Sequence, residues 1–173
     1  GWNIVTGYLD SAARAIGLKG QTAHDDRYDL ADEYMSLVYK LWEGSWDNDA
    51  VIADRRNAVF ADPSKVRVIH HEGPQYKVDA MHLCTPSPQR TPVLYQAGSS
   101  PRGREFAATH AECVFVNGQK KEDVRGITDD IKSRAVAKGR SADDLKVFLG
   151  ATLVLGNTSA EAQEKFEEYK RYV

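Results

Sequence analysis

Apolar residues recur along this chain at two spacings, and the change from one to the other marks its elements. Trp2-Asn3-Ile4-Val5-Thr6 is a short run rich in β-formers, followed by Gly7 and a small-residue stretch to Gly17 that reads as a loop or short helix. From Asp29 to Trp42, residues Leu30, Tyr34, Leu37, Val38, Leu41 and Trp42 fall at helical spacing. Asp25, Asp26 and Asp29 lead and Lys40 trails, as the helix dipole prefers, and Gly44 fits a left-handed closing residue. Residues 47–92 differ: short apolar stretches alternate with charges and prolines, and segments 66–69 and 76–78 read as strands of one or two hairpins. Regularity returns with a strand at 93–97, the loop Gly98-Ser99-Ser100 and a helix opened by Pro101 behind a serine cap. A strand at 113–116 follows, then a helix through Val124, Ile127, Ile131 and Ala135 that stops at Gly139. A strand at 145–155 and a last helix behind Thr158 complete the series.

The order is one strand and helix before the insertion and β-α-β-α-β-α after it, which implies parallel strands joined by right-handed crossovers. The expected fold is α/β: one partial TIM-barrel domain over 1–173, about four βα units of a (β/α)8 barrel, with a β-rich insertion at 47–92.

Composition narrows the function. The length suits about one domain of ~150 residues. Lys and Arg number 23 against 25 Asp and Glu, a net charge of -2 that lacks the basic footprint of a nucleic-acid binder. No apolar run approaches the ~20 residues of a membrane span. Cys84 and Cys113 are too few for a disulfide framework, and with no secretory signal the expected location is the cytoplasm. No metal site is expected either, because His70, His71 and His82 have no acid or cysteine at ligand spacing.

In α/β folds ligands gather where strands end. The loop Gln96-Ala97-Gly98-Ser99-Ser100-Pro101 runs a strand into a glycine, two hydroxyls and a helix N-terminus, a construction that binds phosphate, with Arg102 or Arg104 available for charge. The same residues would also suit a plain helix cap. His24 and Tyr28, four apart, would share one helix face if the long helix starts early, ready to hydrogen-bond a ligand or serve only as surface and packing. Asn3, polar within an apolar strand, would face a barrel lumen or satisfy nearby backbone. No catalytic residue stands out.

Several segments together resemble one family: Gly1-Trp2-Asn3-Ile4-Val5-Thr6, His24-Asp25-Asp26-Arg27-Tyr28-Asp29, Lys40-Leu41-Trp42-Glu43, Ser45-Trp46, Val59-Phe60-Ala61-Asp62-Pro63, Pro86-Ser87-Pro88-Gln89, and Gln96-Ala97-Gly98-Ser99-Ser100 through Phe106-Ala107-Ala108. They look like landmarks of the bacterial-luciferase-like flavin monooxygenases, the group that includes nitrilotriacetate, dibenzothiophene-sulfone and long-chain alkane monooxygenases. The resemblance implies a TIM barrel that binds reduced FMN (FMNH2) supplied by a separate NAD(P)H:flavin reductase. It also implies reaction with O2 that puts one oxygen atom into a small organic substrate, in an enzyme expected to be a homo-oligomer. It places His24, Tyr28 and Ser99 or Ser100 on the flavin, the serine at its phosphate, and Asn3 near the ring.

Family members are several hundred residues long, so this chain is expected to be a fragment or to be completed by another chain, and to bind FMN weakly alone. The substrate expected is hydrophobic or sulfur-containing rather than a polycarboxylate, because the insertion has no concentrated basic patch and carries Phe60, Tyr76 and Met81. Two other readings remain: a non-catalytic flavin- or phosphate-binding barrel subunit, and an unrelated phosphate-binding barrel enzyme, although no strand ends in a convincing catalytic Lys or Glu.

Overall fold

In the computed structural model, which describes residues 1–172, four parallel strands form one sheet in the order β1-β6-β7-β8. These are β1 (Trp2–Ile4), β6 (Leu94–Ala97), β7 (Cys113–Val116) and β8 (Lys146–Leu149). The short α1 (Asp10–Ala15), the long α2 (His24–Gly44) and the insertion lie between β1 and β6. Helix α3 (Pro101–His110) joins β6 to β7, α4 (Lys121–Ala137) joins β7 to β8, and α5 (Ser159–Tyr169) follows. The chain thus has the mixed α/β character and parallel sheet of a partial barrel, as the alternation of elements implied.

Side chains alternate across each strand, so the two sheet faces differ. Ile4 and Leu94 join Tyr28, Met35, Val38 and Phe106 in one apolar cluster. Val114 and Val116 join Ala107, Ala108, Ala111, Ile131, Ala135 and Leu145 in another, where the alanines let α3 approach both sheet and α4. The opposite face carries Asn3, level with Tyr95, and an aromatic row in which Tyr95, Phe115 and Phe148 lie 6.1 and 5.5 Å apart in succession. That face has no covering layer among the described residues, and Phe115 is 46% exposed.

The insertion forms two antiparallel hairpins, β2 (Val51–Asp54) with β3 (Val59–Ala61) and β4 (Ile69–Glu72) with β5 (Lys77–Ala80). Only the second is tied to α2. Glu33, on α2, accepts the backbone N–H of Gln75 (3.0 Å) and Tyr76 (2.8 Å), with His71 Nε2 at 3.3 Å. Lys40 Nζ donates to the His70 carbonyl from the same helix.

Several boundaries differ from the sequence expectation, among them the strand expected at 66–69, which lies at Ile69–Glu72, and the first strand, which ends at Ile4. Helix α2 starts at His24, more than a turn before Asp29, because its first turn packs against the β6–α3 loop rather than fraying into solvent. Gly44 is the last helical residue and not a left-handed cap; a Cβ there would stand 3.3 Å from Ile69 Cγ2, so glycine serves the close approach of β4. Strand β8 ends at Leu149 instead of Leu155. The last ladder bond runs from Gly150 N–H to the Val116 carbonyl, where β7 itself stops, and β8 has no strand on its other side to carry the pairing further. Helix α5 ends at Tyr169, and a single 3-10 turn, Lys170–Tyr172, follows it.

Among the described residues no helix is long and apolar enough to cross a membrane, and no cluster of His, Cys, Asp or Glu is arranged to hold a metal. Cys84 is exposed and Cys113 buried, both free.

Candidate functional site

The carboxyl ends of β1 and β6 and the amino ends of α2 and α3 meet around a cavity of about 440 Å³. Its construction starts with Pro101, which fixes the first helical φ of α3, and Ser100, whose Oγ caps the helix by accepting the Gly103 N–H (3.0 Å). The N–H groups of Gly98, Ser99 and Ser100 donate to no acceptor among the described residues, and they stand at the positive end of the helix dipole. A cap and an anion cradle are here the same piece of backbone.

The early start of α2 brings His24 and Tyr28 onto this loop. His24 Nδ1 lies 2.6 Å from Asp25 Oδ1, and its Nε2 lies 3.3 Å from Ser100 Oγ. With Nδ1–H donating to the carboxylate, Nε2 is left to accept the Ser100 proton. Tyr28 is buried, 5.5 Å from Phe106 between ring centroids, and Gln96 Nε2 donates to its phenol oxygen (3.3 Å). Glycine is required around that oxygen: a Cβ on Gly98 would come within 2.7 Å of it and one on Gly103 within 2.8 Å.

His24, Tyr28, Ser99 and Ser100 therefore line one cavity, in residues separated by some 70 positions of chain. Asn3 does not line it. It lies on the uncovered face of β1, away from Ile4, which is buried under α2. Arg102 and Arg104 do not supply the site's charge. Arg102 is bound to Asp32 and to Asp29 (2.7 Å), and Arg104 to Asp130 and the Ser99 carbonyl, so both cross-link helices. The guanidinium lining the cavity is that of Arg27, which donates to the Thr22 carbonyl and keeps a buried Nε without a partner.

Sequence reasoning placed Gln96 and Gly98 in the loop and Arg27 in the stretch from His24 to Tyr28, but gave Gln96 and Arg27 no contact of their own and looked to Arg102 or Arg104 for charge. Period two would have found Gln96, since it shares the covered face of β6 with Leu94, where a polar side chain is out of place. Nothing local distinguishes Arg27 from Arg102.

Behind the cavity a polar chain ties α2 to α3. Tyr39 O–H donates to His110 Nδ1 (3.1 Å), His110 Nε2 to Asp32 (2.8 Å), and Arg102 closes it. Burial pushes the Tyr39 phenol up to about 12, which keeps it a donor. Burial also works against the Asp32 carboxylate, but hydrogen bonds from His110 and Arg102 outweigh it and hold Asp32 below its ordinary value.

The chain is 53% identical, over 99% of its length, to long-chain alkane monooxygenase of Geobacillus thermodenitrificans and 52% identical to dimethyl-sulfide monooxygenase of Hyphomicrobium sulfonivorans. It spans 39% and 36% of the length of these two relatives. Among solved structures, that of a long-chain alkane monooxygenase superposes with a TM-score of 0.91 at 53% identity, covering 99% of this chain and 39% of that one. A riboflavin lyase holding modified FMN and riboflavin superposes with a TM-score of 0.90 at 46% identity, covering 97% and 37%. A family model described as luciferase-like monooxygenase matches residues 1–173, and the chain therefore belongs to the luciferase-like monooxygenase family.

Proposed function

We propose that the protein carrying this chain is a monooxygenase that uses reduced FMN from a separate NAD(P)H:flavin reductase to place one atom of O2 in a small apolar or sulfur-containing substrate. The observation that carries the reading is the cradle. It offers three unpartnered backbone N–H groups at a helix N-terminus, two glycines where a Cβ would collide, and a buried arginine nitrogen and glutamine oxygen with no protein partner. The amides and the arginine nitrogen are donors that fit the phosphate end of FMN, while the glutamine oxygen is an acceptor for a hydroxyl of the same ligand.

In this reading Ser99, Ser100 and the loop amides hold the phosphate, Arg27 offsets its charge, and Tyr28 and His24 close the cavity from α2. Asn3, on the uncovered face of the sheet, is the candidate contact for the ring. When bound, reduced flavin supplies the electrons that activate O2. The chain's own groups anchor and orient it, and the buried Phe106–Tyr28 wall excludes water from one side.

The substrate class rests on the alkane and sulfide named for the two relatives and on the insertion's charges. Lys65 is held by Asp49, Arg67 by Asp47, Lys77 by Glu72 and Arg90 by the Trp46 carbonyl and Asn48. Of the insertion's six Lys and Arg side chains, only Arg55 and Arg56, on the β2–β3 turn, have no such partner among the described residues, which is a small basic patch for a polycarboxylate.

The test is turnover by the protein with a flavin reductase, NADH and FMN, offered a long alkane, a dialkyl sulfide and an aminopolycarboxylate. Oxygenated alkane or sulfide is the expected product. Preference for the polycarboxylate would overturn the substrate class, and FMN binding without any substrate-dependent oxygen uptake would favour a non-catalytic flavin-binding subunit.

A further inference from the structure

Gln96 is out of character for its place. It is 2% exposed on the covered face of β6, among apolar side chains, and its Oε1 is buried with no hydrogen-bond partner. It is also the only hydrogen-bond partner of the Tyr28 phenol oxygen among the described residues, and it lines the same cavity. A buried amide with one unused polar atom is costly unless something outside the fold uses it.

The direction of the bond matters. In the structure Nε2 faces the phenol oxygen and Oε1 is the atom left without a partner; a reversed amide would take the Tyr28 proton and leave both N–H groups of Nε2 without acceptors, against one N–H and the carbonyl here. With Nε2 donating to the phenol oxygen, that oxygen is an acceptor toward Gln96, and its own proton is free for the cavity. The phenol has little freedom to respond otherwise. It is wedged where a Cβ on Gly98 or Gly103 would collide, with Phe106 beside its ring and the Arg102 guanidinium 5.5 Å from the ring centroid.

We propose that Gln96 is a positioning residue of the cradle: it turns the Tyr28 hydroxyl proton toward a bound phosphate and thereby sets the preference for FMN over riboflavin. This rests on the flavin reading above. A hydroxyl donating to a phosphate makes a charge-assisted hydrogen bond, stronger than its neutral counterpart, so the proton's direction is felt only by the phosphorylated ligand. The unused carbonyl of Gln96 is available to a donor on the same ligand.

The experiment is titration of the protein with FMN and with riboflavin, for wild type, Gln96→Leu, Gln96→Glu, Tyr28→Phe and the Gln96→Leu/Tyr28→Phe double variant. Melting temperatures serve as the check on packing. Wild type is expected to prefer FMN. Gln96→Leu should weaken FMN binding about tenfold and leave riboflavin unchanged, and Tyr28→Phe should cost less FMN affinity in that background than in wild type, since the phenol has already lost the partner that directs its proton. Gln96→Glu, of nearly the same shape, puts a carboxylate beside the phosphate and should lower FMN affinity more than Gln96→Leu does; it also carries the test if the leucine variant does not fold.

Equal loss of FMN and riboflavin in either Gln96 variant would overturn the inference in favour of a purely packing role. Additive losses in the double variant would overturn it too, by separating Gln96 from Tyr28. A wild-type protein with no preference for FMN would instead overturn the cradle reading on which it rests.

Discussion

Helix α2 holds two neighbours by different physics. Against α3 and the sheet it buries Met35 and Phe106 completely, with Tyr28 and Val38 around them and the Asp32–Arg102–His110 chain at the rim. Against the β4–β5 hairpin it presents one carboxylate, Glu33, which gathers two backbone N–H groups and faces His71, whose Nδ1 is buried without a partner. The first contact scales with apolar area and carries its titratable groups only at the rim. The second is local and titratable. The cradle stands on the first, so the site is built on the rigid side of the helix, while the insertion hangs from the side that one charge controls.

The largest effect should come from the apolar side. Phe106→Ala is expected to destabilise the fold by about 3–5 kcal/mol, read by chemical denaturation, and to abolish flavin binding because Tyr28 loses its wall. A loss under about 1 kcal/mol would show that the wall is not what supports the site.

Next in size, Glu33→Gln should free the hairpin alone. Amide exchange at Gln75 and Tyr76 should accelerate on the order of tenfold, while amides of β6 and β7 stay protected. Equal acceleration in the sheet would erase the distinction between the two contacts.

Acid should act in the same order as charge. Burial works against the Glu33 carboxylate, but the Tyr76 and Gln75 amides and His71 prevail and hold it below its ordinary value. A carboxyl depressed on folding stabilises above its unfolded value and loses that contribution as pH falls through the folded one. The opening equilibrium of the hairpin, taken from exchange divided by its intrinsic rate, is therefore expected to rise as pH drops below the ordinary glutamate value of about 4.3 and to be flat above it. Asp32 has the same sign, with its contribution limited to about 1 kcal/mol by solvent at the rim. An opening free energy that fell on the alkaline side, once the intrinsic exchange rate is divided out, would contradict both assignments.

The smallest effect belongs to β2–β3, whose strands contain no buried residue. Phe60→Ser should change stability by no more than about 0.5 kcal/mol, measured by thermal unfolding, because Phe60 is 60% exposed. A larger loss would mean the hairpin is covered in solution.

Much of this could be read from the chain, where the signals were local. Pro101 behind Ser100 is a helix start whatever surrounds it, and Gly139, with φ of +82°, closes the turn after α4 as its lack of a side chain allows. The capped loop at 98–101 was legible for the same reason. The end of β8 was not, since a strand stops where its partner stops and no property of residues 150–155 records the length of β7. Nor was the choice of cation. Arg27, Arg102 and Arg104 are equally charged, and only the positions of Asp29, Asp32 and Asp130 take two of them away from the cavity.

The sequence by itself determined the alternation of parallel strands and helices, the place of the insertion and the capped loop at 98–101, because periodicity, proline and capping chemistry act within a few residues. Tertiary structure alone decided that His24 and Tyr28 reach that loop, that Gln96 and two glycines frame the phenol, and that Asn3 faces the other side of the sheet. These depend on residues some 70 positions apart meeting at one sheet end, and contact across such a distance is set by the packing of α2 on β1 and β6.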